Sequence, residues 1–313
     1  MESHLSILFI TKRFHNRIDQ STEYLIQELN RQVNLLIWEE DGDIDNILCQ
    51  LPIQPSFILL NDYKPEYTPR IYGLKDCVIP IGAILHEIKY KPYRRKKFYE
   101  QENIKYIFTH YRDACIRKIS ELSDRYIWFP HHVPLDVFKD YEEERVISCL
   151  MMGILMKNVY PERTAFYEKL KDHPGFVYRD HPGYEELSVN AKYLVGNSYA
   201  RELAKAKIFV TCDSVEKLPL MKYFECLACK TLLLASGSAE LQDLGFVNEE
   251  TFIEVDRESV VEKVNYYLAH EEERNRIAQN GFELVIKRHS TKQRVHDLID
   301  RINQIVNNEM NKG

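Results

Sequence analysis

The sequence predicts an α/β protein built as two consecutive halves, each a parallel sheet with helices on both faces. Three observations carry that expectation. Short apolar runs alternate with helical segments along the chain, the pattern of strands buried on both sides. The alternation breaks at an acidic stretch, Tyr141-Glu142-Glu143-Glu144-Arg145, and then restarts. The 313 residues exceed one core of ordinary size but suit two of about 150 each. The expected domains are 1–140, 141–290 and a closing helix, 291–313.

In the first half, 5–10 is an apolar strand, and a polar loop leads to a helix over 21–30, with Ser21 or Thr22 as its cap. Strands follow at 33–38, 57–60, 78–85, 106–109 and 127–129, with helices at 43–51, 93–101 and 113–122 between them. Asp41-Gly42-Asp43-Ile44-Asp45 is a turn and helix cap. As an EF-hand it would need its closing Glu at Pro52. In the second half, strands are expected at 146–152, 176–178, 208–211, 231–235 and 251–255. Helices are expected at 161–171, 198–206, 219–229 and 259–268. The last helix, 291–307, carries Val295, Leu298, Ile299, Ile302 and Ile305 on one face. Two such halves leave a cleft, and ligands of these sheets bind beyond the carboxyl ends of the strands.

Composition bounds the function. With 44% hydrophobic and 29% charged residues the chain fits a soluble globular protein, and its net charge of −6 argues against a general polyanion binder. No apolar run reaches the length of a membrane span. The run 5–10 is too short for a signal peptide and has its basic residues behind it, so a cytoplasmic location is expected. Seven scattered cysteines suit a reducing compartment. Cys226 and Cys229 form a C-x-x-C without a second ligand pair, and they lie within a helix, so both are expected in the core.

The stretch 222–236, KYFECLACKTLLLAS, is the most informative. Pro219 opens a helix on which Met221, Phe224, Leu227 and Ala228 recur at helical spacing, and the helix feeds directly into an apolar strand. Glu225 sits inside this apolar segment, where a carboxylate is costly unless something binds it. The plainer alternative is a solvent-facing Glu paired with Lys222 one turn back.

Lys222, Phe224, Glu225, Ala228 and Cys229 resemble the nucleotide-sugar segment of retaining, glycogen-synthase-like GT-B glycosyltransferases of group 1. The pattern is closest to the small bacterial branch that includes the spore maturation protein CgeB. There a basic residue precedes Phe-Glu-x-x-Ala-Cys-Gly. The resemblance implies two Rossmann-like domains with parallel sheets facing across a cleft, and a final helix returning to the first. It also implies that Glu225 holds the ribose hydroxyls of a nucleoside diphosphate sugar. Two positions depart from the pattern. Lys217 stands where the larger family has the first Glu of Glu-x7-Glu, and Lys230 replaces the helix-ending Gly, where a left-handed residue carries a backbone cost.

Glycosyl transfer builds negative charge on a leaving phosphate, which calls for helix N-termini or cationic side chains aimed at it. Gly153 and Lys157, at the end of the first strand of the second half, match the Gly-x3-Lys of the retaining family, and Arg163 opens the next helix. With Lys222 they are the expected diphosphate partners. The resemblance places the nucleobase on loops of the second domain, where Tyr178 and Arg179 end a strand and Ser198 and Tyr199 precede a helix. It implies a catalytic role for His86, which ends the strand 78–85; His110, His131 and His132 also end strands. His131-His132-Val133-Pro134 with Asp136 and Phe138 resembles a family segment before the linker and is structural.

The run 89–98, KYKPYRRKKF, is basic and aromatic. Lys89, Arg94 and Arg95 are acceptor-side candidates there, although a solvated face accounts for the run equally well. The expectation is a glycosyltransferase moving a sugar from a UDP- or GDP-sugar to an acceptor glycan or protein, with retention and with neither metal nor cofactor. A nucleotide-sugar epimerase, a non-catalytic spore or surface assembly protein and a DNA-modifying transferase are the alternatives. Nucleic acid and a peripheral membrane surface remain lesser candidates as partners of the basic run.

Overall fold

The protein is seen here as a computed structural model, which describes residues 5–14, 17–181 and 194–311. Its Cα atoms divide into two compact units. One comprises Met1–His15, Thr22–Pro130 and Arg294–Gly313; the other comprises Asn16–Ser21 and His131–Gln293.

The first unit contains β1 (Ser6–Ile10), α1 (Ser21–Gln32), β2 (Asn34–Trp38), β3 (Gly42–Asp43), α2 (Ile44–Gln50), β4 (Phe57–Leu60), β5 (Ile71–Tyr72), β6 (Ile81–Leu85), α3 (Pro92–Gln101), β7 (Tyr106–Thr109), α4 (Arg112–Lys118) and β8 (Tyr126–Trp128). Six strands form a parallel sheet in the order β2-β1-β4-β6-β7-β8. The central strands are buried along their whole length, which is why they are apolar without alternation. β6 begins three residues later than the sequence suggests, after Val78, which is 97% exposed. The Asp41–Asp45 turn is as expected: Asp43 caps α2, its Oδ1 accepting from the Asp45 and Asn46 amides.

The second unit contains β9 (Ile147–Met152), α5 (Pro161–Leu170), β10 (Phe176–Arg179), α6 (Asn197–Ala204), β11 (Ala206–Val210), α7 (Met221–Ala228), β12 (Leu232–Ala235), α8 (Ala239–Asp243), β13 (Ile253–Glu254), α9 (Val260–Ala269) and α10 (Glu271–Arg288). Its parallel sheet runs β10-β9-β11-β12-β13. The 18-residue α10 is absent from the sequence reading, because its charged first turns and central Gly281 hide a helical stripe. The structure explains that glycine: a Cβ there would lie 2.5 Å from the Thr251 carbonyl oxygen and 2.7 Å from Leu227. Arg145, in the acidic stretch, is held by the carbonyls of Ala204, Ala206, Cys229 and Lys230 and by the Thr231 hydroxyl.

The last helix, α11 (Thr291–Met310), returns to the first sheet. Val295, Leu298, Ile302 and Ile305 are buried with Ile7 and Phe9 of β1, Leu25 and Leu29 of α1 and Phe57 and Leu59 of β4. Among the described residues no helix is long and apolar enough to cross a membrane.

Candidate functional site

In the second sheet the chain runs outward from β9 to β10, then crosses back to β11 on the other side of β9. The crevice of such a sheet lies at this switch, beyond the carboxyl ends of β9 and β11. Gly153 follows β9 there with φ +132°, a conformation that L side chains rarely adopt. A Cβ on Gly153 would come within 2.7 Å of Lys222 Nζ and 3.0 Å of Arg163 Nη1. Glycine is therefore required by its own backbone and by the two cations above it.

Arg163 is only 2% exposed. Its guanidinium donates to the carbonyls of Ile154 (3.2 Å) and Cys212 (3.4 Å) and stacks over Tyr160, 4.0 Å from the ring centroid. Its Nε has no hydrogen-bond partner among the described residues. Neutral carbonyls satisfy hydrogens but leave a buried positive charge uncompensated. Lys222 is half-buried and donates to the Met152 carbonyl at 3.0 Å. Loss of solvent and the neighbouring Arg163 push its pKa down, while Glu225 opposes the shift. Glu225 is buried, and desolvation raises its carboxyl pKa against the pull of Lys222 and of the Tyr199 hydroxyl, which donates to Oε2 at 3.1 Å. The inward-facing reading of Glu225 thus holds over the solvent-facing one.

The other expected donor residues are placed less uniformly. The Tyr178 hydroxyl lies 2.8 Å from the Gly153 carbonyl oxygen and 3.0 Å from Asp180 Oδ1. Arg179 points away into an ion pair with Glu202 at 2.9 Å. The Ser198 hydroxyl is engaged at the entry of α6, bonding Val195 N and O. Lys157 is exposed on the turn after Gly153. Lys217 has φ +59° and lies 3.4 Å from Asp213 Oδ2. Lys230, at φ +54°, adopts the left-handed conformation expected of the missing glycine.

Two further residues stand at this end of the sheet: His181, in the loop that the sequence offers for the nucleobase, and Asp213, which escaped the sequence reading. His181 is pushed down to about 4 by burial and by Lys222 and Arg163, so it is neutral near pH 7. Asp213 is buried after β11; its Oδ1 accepts from Ser236 Oγ at 2.8 Å, and desolvation raises its pKa. The sheet register was the missing signal. Arg179 pairs with Met152 and Phe209 with Leu150, which carries the residues after all three strands to one edge.

In the first unit, His86 follows β6 and stacks on Tyr67 at 4.6 Å between centroids. Its Nε2 lies 2.8 Å from Asn61 Oδ1 and its Nδ1 3.2 Å from His110 Nε2, so both ring nitrogens are engaged. Of the acceptor-side candidates, Lys89 and Arg94 are exposed. Arg95 is fully buried and 3.0 Å from Asp62 Oδ1, with desolvation raising the Asp62 pKa against that attraction. Arg95 is a core ion pair and not part of an acceptor surface. Among the described residues no group of three or more His, Cys, Asp or Glu is placed to hold a metal ion.

Residues 163–300 match the family described as glycosyl transferase-like. No curated protein matches the sequence. Among solved structures, a glycosyltransferase from Rickettsia africae aligns over 97% of this chain and 99% of its own, with TM-score 0.63 and 12% identity. HepE from Anabaena, in complex with UDP and glucose, aligns over 96% of this chain and 100% of its own, with TM-score 0.65 and 8% identity. Sucrose-phosphate synthase from Thermosynechococcus elongatus aligns over 96% and 99%, with TM-score 0.62 and 10% identity. The chain therefore has the GT-B fold, two Rossmann-like halves of parallel sheet, and its residues 163–300 match the glycosyl transferase-like family.

Proposed function

We propose that this chain is a glycosyltransferase that takes a sugar from a nucleoside diphosphate sugar, with uridine the favoured base. The observation that carries the reading is the buried Arg163, bonded among the described residues only to carbonyls, beside Lys222 and over Gly153 at the switch of the second sheet. A diphosphate supplies the negative charge that this cluster lacks, and a desolvated cation pair stabilises the charge that grows on it as the glycosidic bond breaks. Glu225, one helical turn from Lys222, receives the ribose hydroxyls, and Tyr199 holds its carboxylate in place. The complex of the Anabaena neighbour with UDP and glucose supports this donor class.

Retention of configuration and independence from metal belong to the same proposal; the second is supported by Arg163 and Lys222, which provide the countercharge that a metal ion supplies elsewhere. The exposed Lys89 and Arg94, with Lys91, Tyr93 and Lys97, form the proposed acceptor face of the first unit. Calorimetric titration with UDP, UDP-sugars and uridine tests the central point. UDP should bind far more tightly than uridine, and Arg163→Met should abolish the difference. Equal affinity of the wild-type protein for UDP and uridine would remove the diphosphate assignment.

A further inference from the structure

The carboxyl edge of the first sheet holds a chain of hydrogen bonds whose hydrogens can be counted. His110 Nδ1 lies 2.7 Å from the Phe129 carbonyl oxygen. His110 Nε2 lies 3.2 Å from His86 Nδ1, and His86 Nε2 lies 2.8 Å from Asn61 Oδ1. Both ends of this chain are acceptors, so both outer ring nitrogens carry hydrogen. The contact between the two rings needs one more. That makes three N–H groups on two imidazoles, whereas two neutral rings supply only two.

Among the contacts described, the count is met without charge if the Asn61 amide turns over, offering its NH2 to His86. The surroundings oppose that. Thr11 Oγ1 donates to the Lys12 carbonyl at 3.0 Å, with the Tyr67 carbonyl at 3.4 Å, and so presents lone pairs to Asn61 Nδ2 at 2.8 Å. Thr22 Oγ1 lies 3.4 Å from the same nitrogen. The Asn61 amide therefore faces the threonines and its carbonyl faces His86.

We infer that His86 and His110 form one proton-sharing pair carrying a single positive charge, with His110 the positioning residue that fixes the ring and the charge of His86. Other described groups near the pair fit this. The Tyr67 ring stacks on His86, and Tyr111 meets His110 edge-on at 6.2 Å. The Asp62 carboxylate accepts from the His86 amide at 2.8 Å and is matched by Arg95. Glu87, next to His86, pairs with Lys64. The inference rests on the proposed function for its meaning: in a transferase, His86 would present a fixed positive charge at the edge of its own sheet and would not be a proton donor.

The test is nitrogen NMR of the full-length protein labelled with 15N-histidine. His86→Gln and His110→Gln identify the two rings among the eleven histidines. At about pH 7.5, above the ordinary imidazole range, three of the four nitrogens should be of the protonated type. In His110→Gln, His86 should lose its charge at a pH lower by about one unit or more than the pair does in the wild type. Two neutral rings at that pH, or a His86 titration unmoved by His110→Gln, would overturn the inference. Neither measurement needs ligand or turnover, so a protein that bound no nucleotide would count against the proposed function and leave this result standing.

Discussion

Glu225→Gln separates ribose binding from folding. The substitution keeps the shape of the side chain and an acceptor for the Tyr199 hydroxyl, but removes the charge. Hydrogen bonds to a charged group contribute about 1.5–3 kcal/mol each, roughly twice the neutral kind. Two ribose hydroxyls on one carboxylate should therefore lose about 1.5–3 kcal/mol in total, which is about a tenfold to a hundredfold weakening of UDP binding. Folding should suffer little, because the burial that raises the Glu225 pKa also makes its charge costly. The assay is a calorimetric cycle of wild type and Glu225→Gln against UDP and its 2′-deoxy analogue, with thermal unfolding as the control. If Glu225 meets the ribose, the wild type discriminates against the deoxy ligand and the variant discriminates less. Equal discrimination by both proteins would refute the reasoning, as would an affinity loss that tracks a loss of stability.

Gly153→Ala should weaken UDP binding about tenfold or more and destabilise the fold by about 1–3 kcal/mol, since it strains a positive φ and pushes Lys222 and Arg163 aside; calorimetry and thermal melts read both. Arg95→Met should cost about 3–5 kcal/mol in urea unfolding by stranding Asp62, while the exposed Arg94→Ala should stay within about 0.5 kcal/mol. Without ligand, the raised pKa of Glu225 means that the native state binds extra proton above the ordinary value of 4.5, so this contribution to stability is full at low pH and is lost as pH rises. Lys222, with a lowered pKa, adds stability as pH climbs toward its ordinary 10.5, and Glu225→Gln should flatten the acid-side slope of melting temperature against pH. Donor hydrolysis should survive exhaustive chelation with EDTA, and a loss restored by magnesium or manganese would reject metal independence.

The strands were legible because burial on both faces leaves a local mark: 57–60 and 106–109 are read to the residue. Glu225 was legible because a carboxylate within an apolar helix coincides with a family pattern; the helix alone favours the solvent-facing reading. What sequence could not convey was the destination of long side chains. Arg94 and Arg95 are neighbours in one basic run, yet one meets solvent and the other Asp62. Arg179 and Ser198 have suitable chemistry, but Glu202 and the Val195 backbone engage them. Asp213 emerges only once sheet register brings separate strand ends together.

The return of α11 to the first sheet has a consequence for biogenesis. Val295, Leu298, Ile302 and Ile305 complete a core whose other buried members lie between Ile7 and Phe129, far earlier in the chain. Until α11 is made, the first sheet keeps that part of its apolar face uncovered. A chain cut short before α11 would leave that face open to chaperones and to aggregation.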